Sequence, residues 1–320
     1  MPTPDEVTLA DIRAARKRLA GIVVRTPLVR LDLPDVPGEI WLKLENLQPI
    51  GSFKLRGAAN AMLRAGRARL ADGAYTASAG NMAQGVAWSA RHFGVPCTVV
   101  VPDHAPETKL AAIERLGGKV VKVSYERWWQ AISESAFPEA EGAFIHPVQD
   151  ERVMAGNGTI GLEILDDLPD PDRVLVPFGG GGLSVGIASA VKAVRPATEV
   201  YAVEPETGAP LTAALKRGEP EPVEYRVSFV DGSGSPAVLP AMWTRAQEAL
   251  DGAFAVSLDE TAAAVRLLAE RARVVAEGAG GLALAAALHH RWDEQVVCIV
   301  SGGNIDAAKL AAILAGETPA

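Results

Sequence analysis

Short apolar segments alternate with longer amphipathic segments along most of the chain. The apolar segments have the composition of buried strands, and they lie at 40–44, 74–77, 97–101, 119–123, 174–177, 199–203 and 296–300. Helical periodicity follows most of them, at 81–92, around 109–116 and 126–135, and from about 184. A further helix begins after a capping box formed by Thr8 and Asp11, and Gly21 follows its end.

Strands that alternate with helices of roughly 10–15 residues are typical of parallel sheets covered by helices on both faces. The chain has 320 residues, and single cores rarely grow beyond about 250–300 residues. We therefore predict an α/β protein with two doubly wound lobes, each built on a parallel sheet. The segment 217–240 is rich in Pro, Gly, Glu and Ser, and we interpret it as a long ordered loop near a site.

Composition and charge narrow the possible classes of function. The net charge is −8 and acidic and basic residues are interspersed, whereas a nucleic-acid surface needs a basic patch. No apolar run reaches the ~18 residues that span a bilayer, and the N-terminus lacks the apolar core of a signal peptide. Cys97 and Cys298 lie in apolar runs and are expected to be buried free thiols. These features predict a soluble, cytoplasmic protein.

One lysine, Lys54, lies in the segment GSFKLRGA at 51–58, at a turn before a predicted helix. Most lysines are surface residues, and that is the alternative interpretation. The positive end of the helix dipole disfavours a nearby ammonium, and partial burial also lowers the pKa of a lysine. Both effects leave the amine available to attack an aldehyde, as a Schiff-base lysine must.

A run of four glycines, Gly179, Gly180, Gly181 and Gly182, lies between a predicted strand and a predicted helix. Backbone N–H groups in such a loop converge on an anion, with the helix dipole behind them. The run matches neither GxGxxG with an acidic residue about 20 positions later nor GxxxxGK[ST]. It therefore indicates a phosphate monoester, with a flexible tight turn as the alternative.

Two other turns, SAGN at 78–81 and SGGN at 301–304, also follow predicted strands. The N–H groups of SAGN are suited to a carboxylate, and the side chain of Asn81 is suited to a phenolic oxygen. Considered alone, SAGN is equally typical of a helix cap, and SGGN is equally typical of a turn or an anion-binding nest.

In this order, GSFKLRGA, SAGNMAQG, the glycine run and SGGN resemble the threonine and serine dehydratases of pyridoxal phosphate (PLP) fold type II. Serine racemase and cysteine synthase are relatives of that family. The resemblance extends from TPL at 26–28 to SGGN at 301–304, and it includes HP at 146–147, AGNGT at 155–159 and AVEP at 202–205. It implies the tryptophan synthase β-like fold, with a large PLP-binding domain at 1–50 and 146–320 and a small mobile domain at 51–145. We also expect a homodimer.

The resemblance implies a role for each motif toward the cofactor. Lys54 is expected to hold PLP as a Schiff base, and Phe53 is expected to lie near the ring. Asn81 is expected to bond the 3′-oxygen of PLP, and Ser301 is expected to bond the pyridine nitrogen. The phosphate is expected to bind the loop formed by Gly179, Gly180, Gly181, Gly182 and the amide of Leu183.

The resemblance also places the substrate carboxylate at Ser78, Gly80 and Asn81, with Ser235 as a further candidate. Because a hydroxyl such as that of Ser301 does not enforce a protonated pyridinium, the ring is a weaker electron sink than one paired with a carboxylate. A long-lived carbanion is then disfavoured relative to prompt loss of a β-leaving group. This favours elimination over transamination.

Two positions depart from the pattern of the family that the chain resembles. Many members have SSGNH where this chain has SAGNM at 78–82. The second serine is the acid/base on the far face of the cofactor in serine racemase, and Ala79 cannot transfer a proton, so racemisation is not expected. Biosynthetic-type threonine dehydratases also tolerate alanine there, which leaves elimination open. Met82 in place of histidine removes a polar group beside the expected carboxylate site.

Relatives also bind a divalent cation through the Glu-Pro segment and an acidic residue six positions after that glutamate. Here Glu204 is present, but Pro210 occupies the second position. We therefore assign no metal site, and Glu204 is the one candidate ligand. The sequence ends soon after its last predicted helix, so feedback inhibition by isoleucine through a C-terminal regulatory domain is not expected.

The predicted activity is PLP-dependent elimination of water from a small β-hydroxy amino acid, L-threonine or L-serine, which gives a 2-oxo acid and ammonia. Lys54 is the predicted base for the Cα proton. Three alternatives stay open: a dehydratase for a bulkier substrate such as 3-hydroxyaspartate or phenylserine, a β-replacement enzyme, and a non-catalytic PLP-binding protein. An NAD-dependent oxidoreductase is disfavoured because the dinucleotide fingerprint is absent.

Overall fold

The computed structural model describes residues 6–320. Its strands are β1 Leu28–Leu31, β2 Glu39–Leu44, β3 Ala74–Ala77, β4 Cys97–Pro102, β5 Lys119–Val123, β6 Ala143–Phe144, β7 Arg173–Pro177, β8 Glu199–Pro205, β9 Gly252–Val256 and β10 Gln295–Val300. Its α-helices are α1 Leu9–Leu19, α2 Lys54–Leu70, α3 Asn81–Phe93, α4 Glu107–Arg115, α5 Tyr125–Ser133, α6 Glu151–Asp167, α7 Gly182–Val194, α8 Pro210–Arg217, α9 Pro240–Ala249, α10 Leu258–Leu267, α11 Gly278–His290 and α12 Ala307–Leu314.

The large sheet has the strand order β1-β2-β10-β7-β8-β9. Every neighbouring pair is parallel except β1 with β2, which is antiparallel. Successive residues of β7 point to opposite faces: Val174 and Val176 pack with α6 and α7, and Leu175 packs with α10 and α11. Helices therefore bury both faces of this sheet, as a continuous apolar strand requires.

The small sheet has the order β5-β4-β3-β6 and is parallel throughout. Val99 and Val101 of β4 pack toward α2 and α3, whereas Val100 packs with Ala131 of α5 on the other face. The predicted α/β class with two parallel-sheet lobes is confirmed. The capping box of Thr8 and Asp11 is also present at the start of α1.

The small sheet is formed by strands between residues 74 and 144, and the strands of the large sheet lie on either side of that interval in the sequence. Helix α2 packs against α3 of the small sheet and against α6 of the large one. At the α2–α6 contact, a Cβ on Gly156 would lie 2.4 Å from the carbonyl oxygen of Arg56. Because α2 packs against helices of both sheets, its packing does not assign it to one domain. The domain division at 51–145 therefore stays a prediction.

Three further features bear on the sequence interpretation. Cys97 and Cys298 are buried free thiols, as expected. Within residues 6–320, no helix has the length and apolar character to cross a membrane. The segment between α8 and α9 forms a long loop, residues 218–239, without helix or strand.

A buried network of charges joins β2, α2 and α6. The side chain of Arg56 is fully buried and donates to the carboxylates of Glu45 and Glu163, each at 2.8 Å. Lys43 is also fully buried, and its Nζ lies 2.6 Å from Glu163 and 2.6 Å from the carbonyl oxygen of Thr26. Burial raises the pKa of Glu45, but the charge and hydrogen bonds of Arg56 lower it overall. The network is thus hydrogen-bonded throughout and pairs acidic with basic side chains, as buried ionisable groups must be to persist.

We predict that Arg56→Ala lowers the free energy of unfolding by about 3–5 kcal/mol, because removing one partner leaves a buried charge without compensation. The matched control is Arg266→Ala, which breaks an exposed pair with Glu270 on a helix surface and is expected to cost less than about 1 kcal/mol. Urea denaturation of both variants measures the difference. Equal losses of unfolding free energy in the two variants would contradict the prediction that the buried network contributes more to stability than an exposed ion pair does.

Candidate active site

A cavity of about 450 Å³ lies where the carboxyl ends of β3, β7 and β10 meet. In parallel α/β sheets, ligands bind at this edge, outside the carboxyl ends of the strands. Most of the predicted site residues line the cavity, namely Phe53, Lys54, Ser78, Gly80, Asn81, Gly179, Gly180, Gly181, Gly182, Leu183 and Ser301.

Lys54 is the first residue of α2, and the turn before it is fixed to the SGGN turn. Ser52 and Gly302 form an antiparallel bridge, and the amide of Phe53 donates to the carbonyl oxygen of Ser301 at 3.0 Å. The bridge therefore holds the lysine close to Ser301, although the two lie far apart in the sequence.

The amine of Lys54 has few partners. Its Nζ donates to the carbonyl oxygen of Pro147 at 3.0 Å and lies 5.2 Å from the ring centroid of Phe53. Burial lowers the pKa of Lys54 to about 8, although the charge of Glu277 acts in the opposite direction. The neutral fraction of the amine near neutral pH is therefore much larger than that of an ordinary lysine, as a nucleophile or base requires.

The glycine loop is shaped by close contacts that exclude side chains. A Cβ on Gly180 would lie 2.6 Å from both methyl groups of Val148, and one on Gly182 would lie 2.8 Å from the carbonyl oxygen of Val148. Gly181 has φ +94°, a conformation that favours glycine. Within residues 6–320, the amides of 179–183 have no protein acceptor. They form a set of free donors at the N-terminus of α7, as a phosphate site needs.

The SAGN turn places the N-terminus of α3 at the cavity. The amide of Ser78 donates to the carbonyl oxygen of Val100 at 3.1 Å, and the Ser78 hydroxyl accepts from the amide of Gly80 at 3.2 Å. Ala79 and Met82 also line the cavity. The turn is therefore held by its own hydrogen bonds and presents the first turn of a helix, which is suited to a carboxylate.

The side chain of Ser301 is nearly fully buried at the cavity wall. In the part of the chain that the structure describes, its hydroxyl has no hydrogen-bonding partner, and only its carbonyl oxygen is used, by Phe53. A buried hydroxyl at a cavity wall is available to a ligand atom that accepts or donates a hydrogen bond.

Ser235 does not join the predicted carboxylate site. It is partly buried and does not line the cavity, and its hydroxyl donates to the carbonyl oxygen of Ala237 at 3.0 Å. The same loop instead brings Asp231, Gly232 and Ser233 to the cavity, so the predicted proximity of this loop to the site is confirmed. The turn at 231–235 directs Ser233 inward, where its hydroxyl donates to the carbonyl oxygen of Phe178 at 2.6 Å.

The carboxylate of Glu204 caps a helix. It accepts hydrogen bonds from the amide of Leu211 at 3.0 Å and from the amide and hydroxyl of Thr212, both at 2.7 Å. Burial raises the pKa of Glu204 to about 7, although these bonds oppose the shift. Within residues 6–320, no group of three or more His, Cys, Asp or Glu side chains is arranged to hold a metal ion.

Sequence reasoning missed several residues of the cavity. Glu277 lines it and is buried, and Lys109 pairs with Asp231 across it at 2.5 Å. Trp128 also contributes to the wall. The signal for Glu277 was an acidic residue directly before the apolar, glycine-rich start of α11, where a charged side chain has little access to water.

The sequence matches the family model described as "Pyridoxal-phosphate dependent enzyme" over residues 19–302. The chain belongs to this family. It is 41% identical to an L-threonine ammonia-lyase of Thermotoga maritima over 308 residues, which are 94% of this chain and 76% of the relative. It is 36% identical to a catabolic L-threonine dehydratase of Staphylococcus aureus, over 98% of this chain and 94% of the relative.

Solved structures agree with this membership. The structure of maize serine racemase superposes with a TM-score of 0.89 and 29% sequence identity, and the match covers 95% of each chain. The family fixes pyridoxal phosphate as the cofactor. The residues present fit it, since the cavity combines a lysine with a lowered pKa, a loop of free amides and an unpartnered hydroxyl.

We predict that Gly179→Asp weakens binding of the cofactor. A Cβ at this position would meet the carbonyl oxygen of Gly232 at 3.3 Å, so a small shift accommodates it, unlike a Cβ on Gly180. A carboxylate near the phosphate dianion costs at least about 1 kcal/mol, which corresponds to a rise in the dissociation constant of at least about fivefold. Fluorescence titration of the cofactor-free protein measures the constant.

The control is the midpoint of thermal unfolding without cofactor, which should differ little between the parent protein and the Gly179→Asp variant. An unchanged dissociation constant in a folded Gly179→Asp protein would contradict the assignment of the loop to the phosphate.

Proposed function

We propose that the protein catalyses the PLP-dependent elimination of water from L-threonine or L-serine, with a 2-oxo acid and ammonia as products. The observation that carries this proposal is the placement of Lys54, with its lowered pKa, in one cavity with the glycine loop and the SAGN turn. The named activities of the relatives in Thermotoga maritima and Staphylococcus aureus support the same reaction.

Different residues are proposed to bind different parts of the cofactor and the substrate. In the proposal, Lys54 holds the cofactor covalently through Nζ, Phe53 lies beside its ring, and the loop of Gly179, Gly180, Gly181, Gly182 and Leu183 binds its phosphate. Asn81 bonds the 3′-oxygen of the cofactor, and Ser301 bonds its pyridine nitrogen. The substrate carboxylate binds at Ser78, Gly80 and Asn81.

Pyridoxal phosphate held by these residues would supply an electron sink that acidifies the Cα–H bond of the substrate. The free amine of Lys54 then accepts the Cα proton, which a group with a pKa of about 8 does effectively near neutral pH. Because Ser301 offers a hydroxyl and no carboxylate, departure of the β-hydroxyl is favoured over transamination. Closure of the predicted small domain would exclude water from the cavity.

A bulkier neutral β-hydroxy amino acid is the second candidate substrate. Met82 lines the cavity with an apolar side chain, and Trp128 adds to the same wall. A substrate with a second carboxylate, such as 3-hydroxyaspartate, is less well supported, because Lys109 in the cavity wall is already paired with Asp231.

We further propose that the protein is a cytoplasmic homodimer. Val24, Leu47 and Val275 are apolar and each more than 40% exposed, and hydrogen bonds from Gln48 and Asn46 join the segments that carry them. Such an exposed apolar patch supports association with another chain. The two buried free thiols agree with a reducing compartment.

We predict that the purified protein releases ammonia and a 2-oxo acid from L-threonine and L-serine, and that Lys54→Ala abolishes both activities. Intact mass after borohydride reduction should place the pyridoxyl group on Lys54. Lys109→Ala is the matched control, because it removes another cavity lysine and should retain the adduct. Phenylserine and 3-hydroxyaspartate complete the substrate panel.

An adduct on Lys43, Lys109 or Lys122 would contradict the role of Lys54. A correct adduct without ammonia release from any substrate of the panel would instead favour a non-catalytic PLP-binding protein. Ammonia-free consumption of an activated serine together with a thiol would favour a β-replacement enzyme.

We predict that elimination exceeds racemisation by about 10²–10⁴-fold, because a positioned acid/base group contributes about that factor and Ala79 supplies none on the far face. Ala79→Ser should raise racemisation more than it changes elimination. Chiral analysis of the remaining serine, together with measurement of keto acid, tests both statements. Equal amounts of D-serine and keto acid from the parent protein would show that another residue serves the far face.

A further inference from the structure

Glu277 is a buried carboxyl group that the proposed reaction does not use. It is the N-cap residue of α11, its side chain is 5% exposed, and it lines the main cavity. It also lines an adjoining cavity of about 520 Å³. A carboxylate is expensive to bury unless hydrogen bonds or opposite charges compensate it, so its position calls for a functional explanation.

The contacts of Glu277 are directed at the two turns of the cofactor site. Its Oε1 accepts a hydrogen bond from Nδ2 of Asn81 at 2.8 Å. The Oδ1 of Asn81 accepts in turn from Nδ2 of Asn304 at 2.7 Å, and Asn304 also donates to the carbonyl oxygen of Ile50 at 2.8 Å. The orientation of the Asn81 amide is therefore fixed from both ends, and its second N–H has no acceptor among residues 6–320, so it is available to a ligand.

The SGGN turn leaves room for this carboxyl group. A Cβ on Gly302 would lie 2.3 Å from Oε1 of Glu277, and the amide of Glu277 donates to the carbonyl oxygen of Gly302 at 3.0 Å. A side chain at position 302 would thus displace the carboxyl group from Asn81. The turn that carries Ser301 and the position of Glu277 are therefore structurally linked.

Charged groups face Glu277 from three elements: Lys54 on α2, Lys109 on α4 and Asp231 in the loop 218–239. Burial raises the pKa of Glu277 to about 8, the charge of Asp231 adds to the shift, and the hydrogen bond from Asn81 and the two lysines oppose it. The carboxyl group is therefore mostly protonated at pH 7 and loses its proton as the pH rises through about 8.

We propose that Glu277 is a positioning residue for the cofactor: it fixes the Asn81 amide, and its loss of a proton changes the electronic state of the bound cofactor. The proposal rests on the proposed contact between Asn81 and the 3′-oxygen. An ionised Glu277 adds a negative charge beside the site and turns the bond from Asn81 into a stronger, charge-assisted one. Both effects alter the charge distribution that the cofactor experiences.

The test is the visible absorbance of the bound cofactor as a function of pH, without substrate. The parent holoenzyme should show a transition well above the ordinary range of a carboxyl group, because burial raises the pKa of Glu277. Glu277→Gln keeps an oxygen that accepts from Asn81 but has no proton to lose, so it should retain the cofactor and lack the transition. Because no turnover is measured, failure of the proposed dehydratase activity would not affect the result.

Glu204→Gln is the matched control, since Glu204 is also buried with a raised pKa, near 7, but lines neither cavity. It should leave the transition unchanged. Absence of a transition in the parent protein, its persistence in Glu277→Gln, or its loss in Glu204→Gln would overturn the proposal.

If Glu277→Gln does not fold, infrared spectroscopy of the Glu204→Gln holoenzyme provides the second measurement. A protonated-carboxyl band that disappears with the same midpoint as the visible transition would support the assignment to Glu277. A band that is absent at pH 7, or that disappears with a different midpoint, would overturn it.

Discussion

The buried ion network around Arg56 is the constraint on which the site depends. Arg56 lies two residues after Lys54, and its salt bridges join α2 to Glu45, just after β2, and to Glu163 on α6. Helix α6 packs against α7, whose N-terminus carries the glycine loop. The network therefore sets the distance between the lysine and the loop that is proposed to bind the phosphate. Its charges have no access to water, so a shift of one member would leave the others uncompensated.

The position of the motifs at the carboxyl edges of the two sheets is the second constraint on the site. Residues 54, 81, 180 and 301 are distant in the sequence. The turns with residues 54, 180 and 301 lie at one edge of the large sheet because its strands β2, β7 and β10 are parallel. Asn81 follows β3 of the small sheet and lines the same cavity. The bridge between Ser52 and Gly302 then brings the lysine turn against the last of these turns. The order and direction of the strands bring the motifs to the same cavity, and short-range hydrogen bonds then fix their final positions.

Most of the strands and the motifs could be predicted because they are local signals. Apolar runs of strand length and glycines at a strand–helix turn depend on neighbouring residues only. The placement of Ser235 could not be predicted, since the path of the loop 218–239 decides that Ser233 bonds the carbonyl oxygen of Phe178 at the cavity whereas Ser235 bonds Ala237 within the loop. Glu277 belongs to no periodic pattern in the sequence. The role of Glu204 as a cap of α8 is visible only from its hydrogen bonds in the structure. Such contacts depend on the tertiary path of the chain.

Three buried titratable groups at or beside the cavity tend toward their neutral forms, whereas the more exposed Lys109 and Asp231 form an ion pair. Burial lowers the pKa of Lys54 to about 8 and that of the neighbouring His146 to about 4, and it raises the pKa of Glu277 to about 8. Ser301 adds a hydroxyl where a carboxylate would add a charge. In such an environment, charge that develops on a reacting substrate is costly unless a protein group compensates it or the charge is passed on. Elimination passes it to a leaving hydroxyl at once, whereas transamination would require the ring to hold it, so the hydroxyl of Ser301 in place of a carboxylate favours the first reaction.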